Sequence, residues 1–271
     1  MRDIVRSVWI WSAITAIALI WVPIVGVLRL FDRDPARYRT GYWLRRAGSL
    51  ASKLNPAWNI EMLGELPDDP RRPYVLVCNH QSFADIPVIC RLPMEMKWVI
   101  KAGLFRVPLL GWMLRWAGDI RVDRQDKNSR SQVLTTARRY LQNKCSVMFF
   151  PEGTRSRTGR VLRFTNGAFR LAVQEQVPVL PLVIDGSRDA LPTDDWRYRD
   201  FSRIRLKVLP PVETKRYASG DAPDLREEVR RRIMEQLAAW RGETVEQVDA
   251  DTQKHPAGKD LRNPQGASRD A

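Results

Sequence analysis

Residues 74–85 read YVLVCNHQSFAD, an apolar run followed at once by a polar loop that contains a histidine and a carboxylate. The run is short and includes two valines, which is typical of a β-strand. A second apolar run, IPVIC at residues 86–90, follows the loop. Functional residues of open α/β sheets gather in loops just beyond the carboxyl ends of strands. The stretch therefore predicts a buried strand that ends in a functional loop.

Runs of strand length recur along the chain and alternate with stretches that have helical periodicity. The other predicted strands are residues 97–100, 119–123, 146–150, 177–184 and 204–209. Residues 128–143 place Val133, Ala137 and Leu141 on one face of a helix, and residues 166–176 are similarly amphipathic. This alternation predicts an α/β fold with a mostly parallel central sheet flanked by helices.

Composition restricts the possible partners but does not choose among them. The chain has 271 residues, of which 44% are hydrophobic, enough to bury a sizeable core. The formal net charge of +14 comes from 45 Lys+Arg against 31 Asp+Glu. Such a charge predicts anionic partners, namely phospholipid head groups, phosphorylated substrates or nucleic acid.

The N-terminal region predicts a membrane helix. Residues 7–28 contain no charged side chain, and about 20 apolar residues suffice to cross the hydrocarbon core. Arginines are more frequent after this segment than before it, so the rest of the chain should face the cytoplasm. A helix lying in the membrane interface is the main alternative, and a cleaved signal peptide, for which no A-x-A site is present, is another. Residues 36–54 predict a second helix, either on the membrane surface or as a linker with a basic face.

These observations divide the chain into three parts. Residues 1–54 are expected to anchor the protein to the membrane, residues 55–243 to form the α/β domain, and residues 244–271 to form a disordered polar tail. The three cysteines, Cys78, Cys90 and Cys145, lie in apolar surroundings without a CxxC pair. They predict buried free thiols in a reducing compartment.

The loop at residues 79–85 brings a histidine and an aspartate within reach of each other only if it is not helical throughout. In one continuous helix, His80 and Asp85 would lie about 140° apart around the axis. A turn followed by a helix that starts near Ser82 would let the imidazole meet the carboxylate. Asp85 also lies three residues after Ser82, which is the spacing of a capping box, so a purely structural role for Asp85 stays open.

A second polar loop, PEGTRSRTG at residues 151–159, follows the predicted strand at 146–150. Gly153 allows close approach of the backbone, Thr154 offers a hydroxyl, and Arg155 supplies a planar fork suited to phosphate. An ordinary solvated turn is the alternative. Lys101 stands at another predicted strand end, before an apolar helix at 104–116 that either belongs to the core or lines a site for an alkyl chain.

Five blocks in this order resemble the glycerolipid acyltransferase family, most nearly the bacterial 1-acylglycerol-3-phosphate acyltransferases. The blocks are NHQSFAD (79–85), KAGLFRVPLLG (101–111), RVDR (121–124), FFPEGTRS (149–156) and VPVLPL (177–182). The resemblance covers about residues 60–212 and implies the α/β fold of that family. It places the catalytic pair on His80 and Asp85, and substrate-binding positions on Lys101, Glu152, Gly153, Thr154 and Arg155.

The resemblance implies acyl transfer to lysophosphatidic acid, giving phosphatidic acid, with acyl-CoA or acyl carrier protein as the thioester donor. A neutral imidazole is suited to deprotonate the acceptor hydroxyl at cytoplasmic pH, and Asp85 would orient it. The hydroxyl then attacks the thioester directly, without an acyl-enzyme. We expect no cofactor and no nucleic-acid partner. A metal site is not expected either, because the predicted domain has no second histidine to complete a usual ligand set.

The expected location is the cytoplasmic face of the inner membrane of a bacterium, against an anionic surface. Two alternatives remain: another lysolipid as acceptor, or a catalytically silent membrane protein that binds anionic lipid or nucleic acid. The chain also departs from the family, which commonly has a lysine where this sequence has Thr165 and Asn166. Arg160 and Arg163 lie close by in sequence and are candidate substitutes for holding the acceptor's head group.

Overall fold

A computed structural model describes residues 2–123, 125–218 and 220–251, apart from the side chain of Lys127. A seven-stranded sheet forms the centre, in the order β1-β7-β6-β2-β5-β3-β4. The strands are β1 (Trp58–Leu63), β2 (Val75–Cys78), β3 (Met96–Lys101), β4 (Ile120–Val122), β5 (Ser146–Phe149), β6 (Val179–Asp185) and β7 (Ser202–Val208). Every neighbouring pair is parallel except β6 and β7. The predicted mostly parallel sheet is confirmed.

Helices cover both faces of the sheet. They are α1 (Arg2–Phe31), α2 (Tyr38–Ala51), α3 (Asp85–Ile89), α4 (Leu110–Ala117), α5 (Lys127–Gln142), α6 (Gly167–Glu175), α7 (Ser187–Ala190), α8 (Ala222–Arg241) and α9 (Val245–Val248), with a 3-10 turn at Ala102–Arg106. Side chains of β2 alternate between the two layers. Val75 and Val77 pack in one core cluster, and Leu76 and Cys78 in the other. Since both faces of this strand are covered, its sequence is apolar throughout.

The parallel strands β6, β2, β5, β3 and β4 all present their carboxyl ends at one edge of the sheet. The loops after β2 and β5, which carry both polar motifs, therefore lie side by side, because β2 and β5 are direct neighbours with Val77 opposite Phe149. The fold thus places the two motifs in contact.

Helix α1 lies along the α/β domain and is attached to it near both ends. Near its start the Trp11 Nε1 group donates a hydrogen bond of 2.9 Å to the carbonyl of Trp196. Near its end, Gly26 packs against the ring of Trp116, which a Cβ at Gly26 would approach to 3.4 Å. α1 is the one helix of the described residues that is long and apolar enough to cross a membrane. Its outward face remains apolar and exposed, as at Leu19 and Ile20, each 58% exposed.

A buried network of four charges joins helix α2 to strand β3 and to the start of β4. Arg45 of α2 pairs with Asp119 at 2.5 Å, and Lys97 of β3 pairs with Glu95 at 2.7 Å. Lys97 and Glu95 are fully buried, and the Lys97 ammonium also donates to the carbonyls of Arg37 and Ala117 at 3.1 and 2.8 Å. Buried charges are tolerated when paired in this way, so α2 is fixed to the sheet.

Three expectations need correction. The helix expected over 104–116 is broken at Leu109, whose φ of 63° lies in the left-handed region, so that a 3-10 turn precedes α4. Strand β1 was not predicted. Residues 244–251, expected within the disordered tail, instead fold onto the domain, because Val248 is fully buried and Asp249 pairs with Arg230 at 2.5 Å. The remainder of that predicted tail, residues 252–271, lies outside the described residues.

Candidate active site

The loop after β2 is anchored by an asparagine before it reaches the histidine. The Asn79 amide donates to the carbonyl of Ile184 at 2.8 Å and accepts from the Ile184 N–H at 2.9 Å. This pairing mimics one more step of the β2 and β6 ladder, so the loop leaves the sheet in a fixed direction. The helix that follows begins at Asp85, a few residues later than the predicted start near Ser82.

The structure brings His80 and Asp85 into contact. The Nδ1 atom of His80 lies 2.7 Å from Oδ2 of Asp85, whose side chain is fully buried, whereas that of His80 is 12% exposed. The same Oδ2 atom accepts the backbone N–H groups of Gln81 at 2.8 Å and Ser82 at 3.0 Å. Because a carboxylate accepts, Nδ1 carries the proton and Nε2 offers its lone pair. No hydrogen-bond partner occupies Nε2 within the described part of the chain.

Asp85 therefore combines the two roles that the sequence left open. Its contact with the Ser82 N–H is the backward half of a capping box. The forward half is missing, because the Ser82 hydroxyl accepts from Ala84 at 3.0 Å instead of from Asp85. The carboxylate thus holds both the imidazole and the loop that presents it.

Glu152 ties the second loop to the first. Its Oε1 atom accepts the backbone N–H of His80 at 2.8 Å, and its Oε2 atom accepts that of Leu162 at 3.1 Å. In return, the Ser156 N–H donates to the His80 carbonyl at 2.8 Å. Burial raises the pKa of Glu152 to about 8. The Glu152 side chain is buried, and its hydrogen bonds join the two loops. Its predicted role in substrate binding stays a prediction.

The remaining residues of the second motif form the open side of the site. Gly153 has a φ of +72°, which favours glycine, and Thr154 is exposed. The Arg155 guanidinium lies 4.0 Å from the ring centroid of Phe83, which belongs to the first motif and is itself 48% exposed. Partial burial lowers the pKa of Arg155. No carboxylate pairs with Arg155 among the described residues, so its fork is available to an anionic ligand.

Lys101 lies at the same edge of the sheet but not beside His80. It is the exposed last residue of β3, which β5 separates from β2, so two strand spacings of about 4.8 Å lie between the strands. Thr165 and Asn166, the two positions at which the chain departs from the family, make hydrogen bonds within the protein. Thr165 donates its N–H to the Pro151 carbonyl at 2.9 Å, and the Asn166 side chain accepts from Arg226 at 2.6 Å. The substrate-binding role of Lys101 and the head-group roles of Arg160 and Arg163 stay predictions.

Sequence reasoning missed two residues that shape the site. Asn79 fixes the exit of the first loop, and Phe150 stacks on the His80 ring with centroids 3.9 Å apart. Both lie inside the motif blocks but were given no role, and their position at strand ends was the available signal. Their roles depend on contacts between β2, β5 and β6, which a single sequence does not reveal.

In this mostly parallel sheet, the loops after β2 and β5 hold a histidine paired with a buried carboxylate and an arginine without a carboxylate partner among the described residues. Together these side chains define an α/β site suited to activating a hydroxyl near an anion. Residues 59–185 match the family model described as acyltransferase. The chain belongs to the acyltransferase family, as its motifs predicted.

Sequence similarity to two acyltransferases supports this assignment. The chain is 32% identical over 203 residues to a chloroplastic 1-acyl-sn-glycerol-3-phosphate acyltransferase of Arabidopsis thaliana, covering 74% of this chain and 56% of that protein. It is 34% identical over 188 residues to 1-acyl-sn-glycerol-3-phosphate acyltransferase alpha of Mus musculus, covering 65% and 62%. The chain therefore spans less than two thirds of the length of these relatives.

The fold has a solved counterpart. The crystal structure of the 1-acyl-sn-glycerophosphate (LPA) acyltransferase, PlsC, from Thermotoga maritima matches with a TM-score of 0.73 and 24% sequence identity. The match covers 90% of this chain and 98% of that chain. This likeness supports the fold, including the placement of helices around a parallel sheet.

Proposed function

We propose that the chain transfers an acyl group from a thioester to the free hydroxyl of lysophosphatidic acid, giving phosphatidic acid. The observation that carries the proposal is the His80 and Asp85 pair, which leaves Nε2 of His80 without a hydrogen-bond partner among the described residues. The loop after the neighbouring strand presents the Arg155 guanidinium, which has no carboxylate partner in the same part of the chain. The curated relatives named above, which are 1-acyl-sn-glycerol-3-phosphate acyltransferases, support the same acceptor.

In the proposed reaction, Nε2 of His80 removes the proton from the acceptor hydroxyl as its oxygen attacks the thioester carbonyl. Asp85 holds the imidazole and stabilises the imidazolium that forms. This attack forms the new C–O bond, and collapse of the tetrahedral intermediate restores the carbonyl and breaks the C–S bond. The proton passes from His80 to the departing thiolate, which leaves as a free thiol.

The contacts of the serine hydroxyls in the two loops support direct attack by the acceptor. The Ser82 hydroxyl donates to the Leu191 carbonyl at 2.5 Å, and the Ser156 hydroxyl lies 3.5 Å from that of Thr158. Both serines are buried. A serine nucleophile would have to contact Nε2 of His80, and neither serine does so, which supports a reaction without an acyl-enzyme.

The acceptor's phosphate is proposed to bind Arg155, with Lys101 as a second cation at the same edge of the sheet. A guanidinium offers a bidentate fork to phosphate, and its stacking on Phe83 limits its rotation before the ligand arrives. The donor is acyl-CoA or acyl carrier protein. No cofactor is included in the proposed reaction, because the thioester already carries the activated acyl group.

We further propose that α1 lies in the membrane interface, with its exposed apolar face toward lipid, and that the arginines after it contact anionic head groups. Its attachment to the domain near both ends supports this arrangement, since one domain cannot face both sides of a bilayer. Placement of the domain on the cytoplasmic face of a bacterial inner membrane remains part of the proposal.

The test is an assay of the purified full chain in mixed micelles with lysophosphatidic acid and a labelled acyl thioester, supplied either as acyl-CoA or on acyl carrier protein. We expect labelled phosphatidic acid from the wild type and at least a ~10²-fold slower reaction from His80→Ala. A panel of other lysolipids at equal concentration identifies the preferred acceptor. A chain that binds anionic vesicles but turns over neither donor would be a silent lipid-binding protein, and the proposal would fail.

A further inference from the structure

The ring of Phe150 lies flat against the imidazole of His80. The ring centroids are 3.9 Å apart and the planes differ by only 15°. Uncharged aromatic pairs favour offset or edge-to-face contacts, whereas a cation is attracted to the face of an aromatic ring. An offset stack therefore suits the neutral imidazole, and protonation of His80 adds the attraction of a cation to the face of the Phe150 ring.

The position of Phe150 is fixed from several sides. It follows the last residue of β5 and precedes Pro151, so its backbone is restricted. Its ring also packs against Trp98, with centroids 5.9 Å apart and planes tilted by 52°. Trp98 is itself held in the core, where Asp119 accepts its backbone N–H at 2.9 Å. The aromatic face beneath His80 is thus an ordered part of the structure.

We propose that Phe150 is a positioning residue for His80, and that its π face stabilises the imidazolium formed when His80 accepts the hydroxyl proton. The role rests on the proposed acyl transfer. Asp85 fixes the imidazole in its plane through Nδ1, and Phe150 restricts rotation out of that plane. With Nδ1 bound to Asp85, Nε2 is the ring nitrogen without a hydrogen-bond partner in the described part of the chain.

Four other charged or titratable groups lie around His80. Asp85 of α3 favours the imidazolium, and Glu152 after β5 contacts the His80 backbone. Arg155, close enough for its charge to act on Asp85, opposes the imidazolium, and Cys78 of β2 stays a thiol because burial raises its pKa well above the ordinary value. Substitution of Phe150 by another uncharged side chain leaves all four groups in place, so a change in His80 titration reports on the ring.

The sequence allows the titration to be measured at a single site, because the chain has only two histidines. In the full chain with His255→Gln, histidine-selective labelling gives the NMR titration of His80 alone. Phe150 is replaced by fluorinated phenylalanines with one, two and three fluorines, which weaken the π face progressively while nearly preserving shape. Phe150→Leu removes it, and Phe150→Tyr, which keeps the face, is the matched control.

We expect the His80 pKa to fall stepwise with fluorination and to fall by about 0.7 to 1.5 pH units in Phe150→Leu, a 5- to 30-fold change in proton affinity. The acid limb of the kcat profile should move to lower pH by the same amount, with KM for both substrates nearly unchanged. Phe150→Tyr should match the wild type. A His80 pKa that stays constant across the fluorine series would overturn the proposal. The NMR measurement needs no turnover, so it decides the matter even if acyl transfer itself is not observed.

Discussion

A single oxygen atom of Asp85, Oδ2, lies 2.7 Å from Nδ1 of His80 and also accepts the backbone N–H groups of Gln81 and Ser82 at 2.8 and 3.0 Å. The other oxygen, Oδ1, is buried without a hydrogen-bond partner in the described structure. The orientation of the imidazole and the conformation of the loop therefore depend on the same atom. Loop stability and catalysis should be linked through this side chain.

Asp85→Asn should damage both properties. If the amide oxygen takes the place of Oδ2, the NH₂ group is buried at the partnerless Oδ1 position. If the amide is reversed, three donors lose their acceptor. Either orientation also removes the charge that stabilises the imidazolium. We expect kcat to fall by roughly 10²- to 10⁴-fold and the free energy of unfolding to fall by about 1 to 3 kcal/mol.

His80→Ala is the matched control, since it removes the imidazole while keeping the two loop hydrogen bonds of Asp85. It should lose comparable activity with a much smaller loss of stability. For each variant, activity is measured by initial rates and stability by chemical denaturation. Activity of Asp85→Asn within tenfold of wild type would contradict the assigned role of the carboxylate.

Arg155→Lys should behave differently with different acceptors. The substitution keeps the charge but loses the planar fork and its stacking on Phe83. With lysophosphatidic acid, kcat/KM should fall by roughly 10- to 100-fold, corresponding to about 1.5 to 3 kcal/mol for hydrogen bonds to a charged group. With an acceptor lacking phosphate it should barely change.

Arg157→Lys provides the control for Arg155→Lys, because Arg157 belongs to the same loop but is 78% exposed and pairs with Asp194 at 3.4 Å. It should leave kcat/KM for both acceptors close to wild type. Equal losses with both acceptors in Arg155→Lys would instead assign Arg155 to the thioester donor or to loop structure.

The pH dependence of stability should reveal the buried carboxyl of Glu152. Burial raises its pKa from the ordinary 4.5 to about 8. Between these values the folded state holds a proton that the unfolded state has released. The contribution is therefore fully present below pH 4.5 and is lost as pH rises through about 8.

The measurement compares the free energy of unfolding of wild type and Glu152→Gln across this range. Glutamine does not titrate, and all other groups are common to both proteins. The advantage of wild type over the variant should shrink as pH rises, whatever the constant offset from the changed hydrogen bonds. Parallel curves would show that Glu152 is ionised in the folded protein throughout.

The sequence predicted best the strands that are buried along their whole length. Every residue of β2, β5 and β6 is buried, so each of these strands contains a continuous apolar run that is recognisable without knowledge of its neighbours. Strand β1 was missed because it lies at one edge of the sheet and none of its residues is buried, so its sequence contains no continuous apolar run. The direction of β7, antiparallel to β6, depends on pairing rather than on composition.

The site was predictable to the extent that its motifs carry their own chemistry. His80, Asp85 and Arg155 were identified from residue type and from the resemblance, and the structure brings the loops that hold them together. Glu152 and Phe150 act on His80 from another strand, so their contacts could not be read from spacing. The buried network of Arg45, Glu95, Lys97 and Asp119 could not be predicted for the same reason. Nothing near Lys97 in sequence indicates that Arg45 belongs to it.

Gly41 of α2 offers a test of that network. A Cβ at this position would overlap Glu95 Oε1 and would lie 2.5 Å from Lys97 Nζ. Both partners are buried and paired with each other, so neither can move away without leaving a charge uncompensated. We expect Gly41→Ala to lower the free energy of unfolding by about 1 to 3 kcal/mol. Gly103→Ala, where the added Cβ meets nothing within 4 Å, should stay within about 0.5 kcal/mol of wild type, and equal effects would contradict the argument.

The orientation of α1 can be decided by labelling its two ends. The helix has 30 residues and is about 45 Å long, enough to cross the hydrocarbon core of about 30 Å. A spanning helix would therefore place Arg2 and Arg33, both exposed, on opposite sides of the membrane. A helix lying in the interface keeps both on the side of the α/β domain.

We expect the interfacial result, because Trp11 and Gly26 contact the same domain from the two halves of the helix. Single cysteines at positions 2 and 33 are treated with a membrane-impermeant maleimide in vesicles that expose the domain on the outside, with Glu213→Cys on the domain as the reference. Background should be low because the native thiols of Cys78, Cys90 and Cys145 are all buried. Labelling of both ends from outside, at rates similar to the reference, is the expected outcome. Labelling of position 2 only after the vesicles are opened would show that α1 spans the bilayer, and the contact of Trp11 with the domain would then be lost in the membrane.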